Sequence, residues 1–334
     1  HTLGMSRDLL LPDELARFNE LAIFPPYAAI PLGTLAVFWG ATGGLDAAAI
    51  EALCQRLFQL SLLARFDIPS QTIKVHSILR NYLTTEHAAQ LPALHQKFLD
   101  AFAQNLPAWA ALPHANGYLW NHLAYHLVNA GRSDELVSTV KDLSYLAHKT
   151  FLRSANAAEA DLLAARRVAP ADAVLAKLHL AFSQSSHLLA ECKSLAEVAG
   201  TLHSRLAFAP QLAPLATAAE VGLPRPLLTA GQPLPDLPAA SLLRAFAGHN
   251  TAALGCDIDD AGASVVSIDR AAQVKVWDAR TGAERLTLAG HQTLGNCCAI
   301  SGNGAVVVSA AWDGALNVWD AATGELRHAL SAHE

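Results

Sequence analysis

The pattern of hydrophobic and polar residues changes about 240 residues along the chain. Before that point, apolar residues recur every three to four positions over long stretches, which is typical of amphipathic helices. Beyond it, short apolar runs are separated by turns rich in glycine, serine, threonine and aspartate, which is typical of short strands. The sequence therefore predicts a multidomain chain that is α in its first part and β in its last.

Residues 1–85 are predicted to begin with three helices. The apolar pattern places them over residues 12–19, from Pro31 to about Trp39, and after Asp46, whose carboxylate can cap the third helix. The apolar side of the third helix is formed by Ile50, Leu53, Cys54, Leu57 and Phe58.

A hairpin and a further helix are predicted to follow. Apolar and polar residues alternate over residues 64–68 and again over residues 72–76, with a Pro-Ser-Gln turn between them. Residues 78–83 then place apolar side chains on one face of a short helix. Three helices, a hairpin and a fourth helix predict a winged-helix domain over residues 1–85.

The next part of the chain is predicted to be helical and then irregular. Residues 86–209 keep the helical period throughout, which predicts six to eight helices packed as a bundle or a short solenoid. Residues 210–240 are rich in proline, and we expect a semi-rigid linker without elements of its own. The prolines of this stretch are Pro210, Pro214, Pro224, Pro226, Pro233, Pro235 and Pro238.

Residues 241–334 repeat with a fixed period. A Gly-His dipeptide that ends at His249 recurs at His291, and a Trp-Asp dipeptide that starts at Trp277 recurs at Trp319, each 42 residues later. Each repeat contains four predicted short strands separated by turn residues. This pattern resembles the WD-repeat family, in which each repeat forms one blade of a β-propeller.

The resemblance implies a hydrogen-bonded set of polar side chains inside each blade. In the second repeat the set is His291, Ser309, Asp313 and Trp319. In the first repeat it is His249, Ser267 and Trp277, and Ala271 stands where the carboxylate is expected. We therefore expect the first blade to be held less firmly than the second, because its imidazole lacks a charged partner.

The propeller is predicted to be incomplete. Two repeats give two blades, and residues 243–246 are predicted to be an outer strand of a further blade whose inner strands lie elsewhere. Propellers close with about four to eight blades, and a pair of blades leaves open edges. We therefore expect the chain to be part of a longer protein, or its propeller to be completed by other copies.

Composition and charge narrow the function classes. The chain has 334 residues, of which 52% are hydrophobic and 16% charged, and a net charge of −6 without a basic block. This balance argues against nucleic acid and against membrane surfaces as partners. The five cysteines form no CxxC pair, so reduced thiols in a cytoplasmic protein are expected. The uncharged residues 21–45 are too often interrupted by proline and glycine to span a membrane.

Three segments resemble the STAND ATPases of the NB-ARC class, the family of the apoptotic protease-activating factors. Residues 21–40 are similar to the start of that family's winged helix, and residues 118–136 are similar to the start of its second helical domain. Residues 75–83, "VHSILRNYL", resemble its Met-His-Asp motif, with Val75 and Ser77 in place of the methionine and the aspartate. The resemblance implies an ADP/ATP switch, although this region has no GxxxxGK[ST] motif and so no nucleotide-binding core.

His76 is the candidate binding residue that the resemblance implies. In that family the corresponding histidine contacts the β-phosphate of ADP and clamps the winged helix onto an upstream nucleotide-binding domain. A structural histidine at the edge of the hairpin is the alternative interpretation. No cofactor is expected in this region alone, and ADP or ATP is expected for the full-length protein.

Other chemistry is less well supported by the residues. His122 and His126 are four residues apart, as zinc ligands on a helix would be, but Leu123 stands where a metalloprotease needs glutamate. The third helix carries Arg56 beside Glu51, a poor set for contacting DNA phosphates. The region shows no nucleophile elbow, so no enzyme is expected within it.

These observations lead to one main hypothesis and two alternatives. The main hypothesis is the regulatory and sensor region of a STAND-type signalling ATPase. In it, the winged helix clamps ADP in the closed state, and the WD repeats bind a partner or ligand to control oligomerisation. The first alternative is a helical and WD-repeat interaction scaffold without nucleotide switching. The second is a winged-helix regulator that binds DNA.

Overall fold

The computed structural model describes most of the chain, namely residues 7, 9–104, 106–220 and 242–331. The chain divides into two compact units, one within residues 1–178 and 193–229 and the other within residues 179–192 and 230–334. The first unit holds a three-stranded sheet and most of the helices. The second holds two four-stranded sheets and the C-terminal part of one long helix. This order confirms the prediction of an α region followed by a WD-like β region.

The first unit begins with helices and a small antiparallel sheet. Its elements are α1 (Pro12–Glu20), a 3-10 turn (Leu21–Ile23), β1 (Ile30–Pro31), α2 (Leu32–Gly43), α3 (Ala47–Gln59), β2 (Leu63–Asp67), β3 (Thr72–Val75) and α4 (Ser77–Glu86). The strand order is β1-β3-β2, so β1 adds a third strand that the sequence pattern did not indicate. This is the order of elements on which the winged-helix prediction rests.

Helix α3 shows where local sequence determines an element and where it does not. The Asp46 carboxylate accepts a hydrogen bond from the Ala49 amide at 2.8 Å, which satisfies a free N–H at the start of the helix. Four of the five predicted core residues are buried, but Phe58 is 44% exposed. Phe58 follows Leu57 by one residue and therefore lies about 100° further around the helix, away from the core.

Among the described residues between 86 and 209, seven α-helices form the array, in agreement with the predicted six to eight. They are α5 (Leu91–Ala103), α6 (Gly117–Asn129), α7 (Ser133–Lys141), α8 (Leu143–Leu152), α9 (Ala155–Val168), α10 (Ala173–Glu191) and α11 (Leu195–Leu206). Several begin at a side-chain oxygen that accepts a hydrogen bond from a free amide of the first turn. These capping residues are Asn116, Asp142, Ser154 and Ser194.

One short helix corrects the prediction of an irregular linker. Residues Ala213–Ala219 form α12, in which Ala216 is buried and which packs against α11. Pro214 lies in its first turn, where a proline removes no helical hydrogen bond and so does not prevent the helix. The remaining predicted linker, residues 221–240, lies outside the described residues.

The second unit contains two four-stranded antiparallel sheets. The first has the order β4 (Ala253–Ile258), β5 (Ser264–Asp269), β6 (Val274–Asp278), β7 (Glu284–Leu288). The second has the order β8 (Gly295–Ile300), β9 (Val306–Ala311), β10 (Ala315–Asp320), β11 (Leu326–Ser331). Each repeat thus forms one blade-like sheet of consecutive strands.

The two sheets pack against each other through the inner strand of the second. Strand β8 contacts β4 and β5, and one apolar core is shared between the sheets, including Ile268, Val276, Val307 and Trp319. The Asp257 carboxylate accepts a hydrogen bond from the Ile300 amide at 2.9 Å across this boundary. The two sheets therefore share an apolar core and are also joined by a hydrogen bond.

The segment 243–246 corrects the prediction of an outer strand. It has no strand assignment, because none of the described strands is hydrogen-bonded to it as a neighbour. Side chains hold it instead. The Arg244 guanidinium donates to the carbonyls of Thr281 and Arg280 at 2.8 and 2.7 Å, and the Phe246 ring lies 5.7 Å from the Trp277 ring.

The structure also describes the cysteines and the apolar helices. All five cysteines are free, and Cys54 is fully buried. Among the described helices, none is both long enough and apolar enough to cross a bilayer.

Candidate functional site

His76 lies at the junction between β3 and α4. Its backbone is extended, with φ −60° and ψ 134°, and its carbonyl accepts a hydrogen bond from the Arg80 amide at 2.8 Å. The imidazole is exposed and makes no side-chain hydrogen bond with the described residues around it. It stands at the N-terminal end of a ten-residue helix, where backbone N–H groups favour an anion. The imidazole is therefore open to solvent at the start of a helix.

Arg80 fixes the helix that begins after His76. Its Nε donates to the Phe24 carbonyl at 2.5 Å, and its Nη2 donates to the Tyr125 hydroxyl at 3.0 Å. Phe24 follows the 3-10 turn, whereas Tyr125 lies on α6 of the helical array. One side chain of α4 thus joins two other parts of the first unit.

A buried pair of histidines lies beside Tyr125. The Nδ1 atoms of His95 and His126 are 2.9 Å apart, and the Tyr118 hydroxyl lies 2.9 Å from Nε2 of His126. The exposed fractions of the two histidines are 1% and 0%, and the His126 ring stacks on Phe98 with centroids 4.3 Å apart. A single proton fits between the two Nδ1 atoms, so one ring donates this hydrogen bond and the other accepts it.

The surroundings of this pair disfavour its charged forms. Burial lowers the pKa of His95 to about 4, and the nearby Arg80 charge acts in the same direction. Burial also lowers the pKa of His126 well below its usual range, with contributions from His95 and His122. Because an imidazolium would have to leave water here, the pair stays neutral near pH 7.

The structure does not assemble the two histidines of α6 into a metal site. His122 is partly buried with its ring 4.8 Å from the Tyr118 ring, whereas His126 bonds to His95 on another helix. Across the described part of the chain, no group of three or more His, Cys, Asp or Glu side chains is placed to hold a metal ion.

A buried ion pair lies deeper in the helical array. Lys149 and Asp161 are 1% and 6% exposed, and the ammonium lies 2.8 Å from the carboxylate. The Tyr145 hydroxyl donates to the same carboxylate oxygen at 2.8 Å. Burial raises the pKa of Asp161, although the Lys149 ammonium and the Tyr145 hydroxyl act in the opposite direction. The pair connects α8 to α9, so it is a structural feature of the array.

The second blade brings its four predicted polar residues together. Trp319 Nε1 donates to Ser309 Oγ at 2.9 Å, and that hydroxyl lies 2.8 Å from Nε2 of His291. Nδ1 of His291 lies 3.1 Å from the Asp313 carboxylate. The two Asp313 oxygens also accept the amides of Ala315 at 3.0 Å and Gln292 at 3.1 Å, so every polar atom of the cluster is paired.

The first blade corrects the expectation of a missing carboxylate. Trp277 Nε1 donates to Ser267 Oγ at 2.8 Å, and the same hydroxyl lies 2.6 Å from Nε2 of His249. Nδ1 of His249 faces the carboxylate of Asp269 at 3.2 Å, which is an ion-pair distance without hydrogen-bond alignment. The carboxylate thus comes from two residues before Ala271, and Asp269 is 1% exposed.

Asp269 is itself held in place by the backbone. Its carboxylate accepts a hydrogen bond from the Gln273 amide at 2.9 Å. Although burial acts to raise it, the pKa of Asp269 is lowered overall by this amide, by Thr251 and by His249. The group is therefore an anion at neutral pH, and the first blade has the charged partner that the sequence pattern did not show.

A cavity of about 670 Å³ lies between α1 and α3 and is bordered by paired charges. Arg56 contacts the Glu14 carboxylate at 3.1 Å and donates to the Leu9 carbonyl at 2.9 Å. Arg17 contacts the Glu20 carboxylate at 2.9 Å. The arginine that a DNA-binding α3 would need is already neutralised, which weakens the DNA-binding alternative.

Comparisons with known proteins match two parts of the chain. The family model described as "APAF-1 helical domain" matches residues 91–199, and the model described as "WD domain, G-beta repeat" matches residues 282–320. Apoptotic protease-activating factor 1 of Rattus norvegicus is 26% identical over 153 residues, which is 45% of this chain and 12% of that protein. The chain is thus similar to Apaf-1 over part of its length.

The extent of the likeness limits what it transfers. The Apaf-1-like match spans about an eighth of the rat protein, and both family matches concern non-catalytic domains. His95 and His126 lie inside the matched helical segment, whereas His76 precedes it. Among solved structures, the structure of U3-55K matches with a TM-score of 0.26 and 18% identity, over 27% of this chain and 30% of that chain. This last likeness supports no argument.

Proposed function

We propose that this chain is the regulatory and interaction region of a STAND-type signalling ATPase. The observation that carries the proposal is the position of the APAF-1-type helical array, residues 91–199. It follows a helix–hairpin domain that exposes His76, and it precedes two WD-type sheets. In this proposal the residue that contacts nucleotide precedes the array in sequence, and the sheets that bind a partner follow it.

In this proposal His76 binds a phosphate of ADP that an upstream nucleotide-binding domain presents. An exposed imidazole at the start of a helix fits that group, because it can donate to an anion whose charge the helix end also favours. Such a hydrogen bond contributes about 1.5–3 kcal/mol, and only to the state in which the contact forms. It would therefore favour the closed, ADP-bound state.

The WD sheets supply the second part of the proposal. They bind a protein partner or a ligand in the cytoplasm, and this binding controls whether the protein oligomerises. The His-Ser-Trp clusters do not take part directly, because they are engaged inside the blades. Their role is to keep the sheets rigid for the partner.

The test is a substitution in the longer protein that includes the nucleotide-binding domain. In the His76→Ala variant the ratio of the open to the closed, ADP-bound state should rise about 10- to 150-fold. The variant should therefore retain ADP less well and oligomerise without a trigger. Thr72→Ala, on the same hairpin, should do neither. Chain 1–334 should show no ADP binding by calorimetry. Normal ADP retention and no oligomerisation in His76→Ala would disprove the clamp.

A scaffold without nucleotide switching is the second candidate, and one observation favours it. Trp312 is 76% exposed, and its amide donates at 2.9 Å to the carbonyl of Leu294, which is 46% exposed. A large exposed aromatic side chain is typical of surfaces that a protein partner covers. If Trp312→Ala abolishes partner binding while His76→Ala changes nothing, the scaffold is the better description.

A further inference from the structure

A continuous series of side-chain contacts joins α4 to the helical array. It starts at Arg80, one helical turn after His76, and passes through the Tyr125 hydroxyl. The Tyr125 ring then contacts the rings of His95 and His126, with centroids 5.6 and 5.3 Å apart. The series therefore runs from a helix of the first domain to the centre of α5 and α6.

Phe24 contacts both Arg80 and the rings of the helical array. Its carbonyl accepts the second Arg80 hydrogen bond, and its ring packs edge-on against Phe98, Tyr118 and His126. Arg80 is thus bonded to two segments that are 101 residues apart in the chain, at Phe24 and Tyr125. Because the guanidinium offers several N–H donors in one rigid plane, a lysine cannot reproduce both contacts.

We propose that Arg80 is a positioning residue that ties the helix beginning after His76 to the helical array, with Tyr125 as its partner. If either group is lost, α4 can open while the helical array stays folded. The part of this inference that concerns nucleotide rests on the proposed function. The part that concerns α4 does not, because it follows from contacts within the chain.

Hydrogen exchange of chain 1–334 tests the structural part. Arg80→Met should speed amide exchange in residues 77–86 by about tenfold or more, because a charge-assisted hydrogen bond and a second bond are lost. Tyr125→Phe should cause a smaller increase in the same residues. The double variant should match Arg80→Met alone, since the two groups act through one contact. Amides of α9 should not change.

A second measurement separates the contact from general packing. Burial, and after it the Arg80 charge, keep the pKa of His95 at about 4. Arg80→Met should therefore raise the pKa of His95, as followed by NMR, whereas Arg80→Lys and Tyr125→Phe should largely preserve it. Arg65→Met removes a surface arginine of β2 that pairs with Asp67, and it is the matched control.

Three results would overturn this inference. Equal acceleration in all helices of the first unit, additive effects of Arg80→Met and Tyr125→Phe, or an unchanged pKa of His95 in Arg80→Met would each overturn it. In the longer protein, Arg80→Met should also release ADP faster with His76 intact. If His76→Ala releases ADP and Arg80→Met does not, the positioning role is wrong. If neither variant releases ADP, the proposed clamp fails while the α4 result stands.

Discussion

Acidification should selectively loosen the contact between α5 and α6. One Nδ1 atom donates to the other across 2.9 Å, so protonating the accepting Nδ1 removes the hydrogen bond and leaves a buried imidazolium facing a second N–H. Arg80 adds a further positive charge on the same side. The unfolded chain has no such restriction, and its histidines take up protons near pH 6.5.

The sign and the size of the change in the free energy of unfolding follow from the pKa of His95. In the folded state it is about 4. The folded chain therefore binds fewer protons than the unfolded chain between about pH 6.5 and pH 4, and the free energy of unfolding falls as the pH falls. From pH 7 to pH 5 the loss from His95 is about 2 kcal/mol, and it approaches about 3 kcal/mol near pH 4. His126 acts in the same direction, because its pKa is also lowered.

Native-state hydrogen exchange measured by mass spectrometry gives the required local quantity. The opening free energies of peptides from α5 and α6 are compared at pH 7 and pH 5, after correction for the intrinsic exchange rate. A local measurement is needed because a chain with two compact units need not unfold in one step. We expect the protection of both helices to fall about 30-fold.

The control is His95→Gln, which keeps a hydrogen-bonding side chain but cannot be protonated in this range. Its α5 and α6 peptides should lose markedly less protection between pH 7 and pH 5 than those of the unsubstituted chain. A change below about 0.5 kcal/mol in the unsubstituted chain would refute the reasoning, since it would show that water reaches the pair.

Two further substitutions test the polar interior. Lys149→Met should lower the opening free energy of α8 and α9 by about 3–5 kcal/mol in native-state hydrogen exchange, because it leaves the Asp161 carboxyl buried without its cation; adding Asp161→Asn should recover part of the loss, and no recovery would contradict the ion pair. Asp269→Ala should destabilise the first blade by about 1–3 kcal/mol, seen as faster amide exchange in β5 and β6. Ala271→Asp should bring no gain, and a clear gain would show that His249 still lacks a carboxylate partner.

Local rules predicted most of the elements. The helices of the array and the strands of both repeats follow from hydrophobic period, from capping residues such as Asp46 and from the period of 42 residues. The errors are also local in origin. Helix α12 lies where proline suggested a linker, because Pro214 occupies the first turn, the one place in a helix where proline is harmless.

The polar interior could not be predicted in the same way. His95 and His126 are 31 residues apart, and nothing in the sequence near either one indicates that their rings meet. His126 was visible only as half of a possible metal pair with His122, which the fold does not form. Contacts of this kind depend on how helices pack, and a hydrophobic period specifies which face is buried but not which polar residues meet there.

The two blades show why a repeat should be read by chemistry as well as by position. Aligning the repeats puts Ala271 opposite Asp313 and Asp269 opposite Ala311, so the alignment reports one carboxylate lost and one unrelated carboxylate gained. In the fold both carboxylates face Nδ1 of the blade histidine, at 3.2 Å in the first blade and 3.1 Å in the second. Asp313 hydrogen-bonds Nδ1 of its histidine, whereas Asp269 brings a carboxylate to the same nitrogen without hydrogen-bond alignment, so two different backbone positions supply an anion there. A WD repeat that lacks the usual aspartate should therefore be searched for a carboxylate two residues earlier before its blade is judged weak.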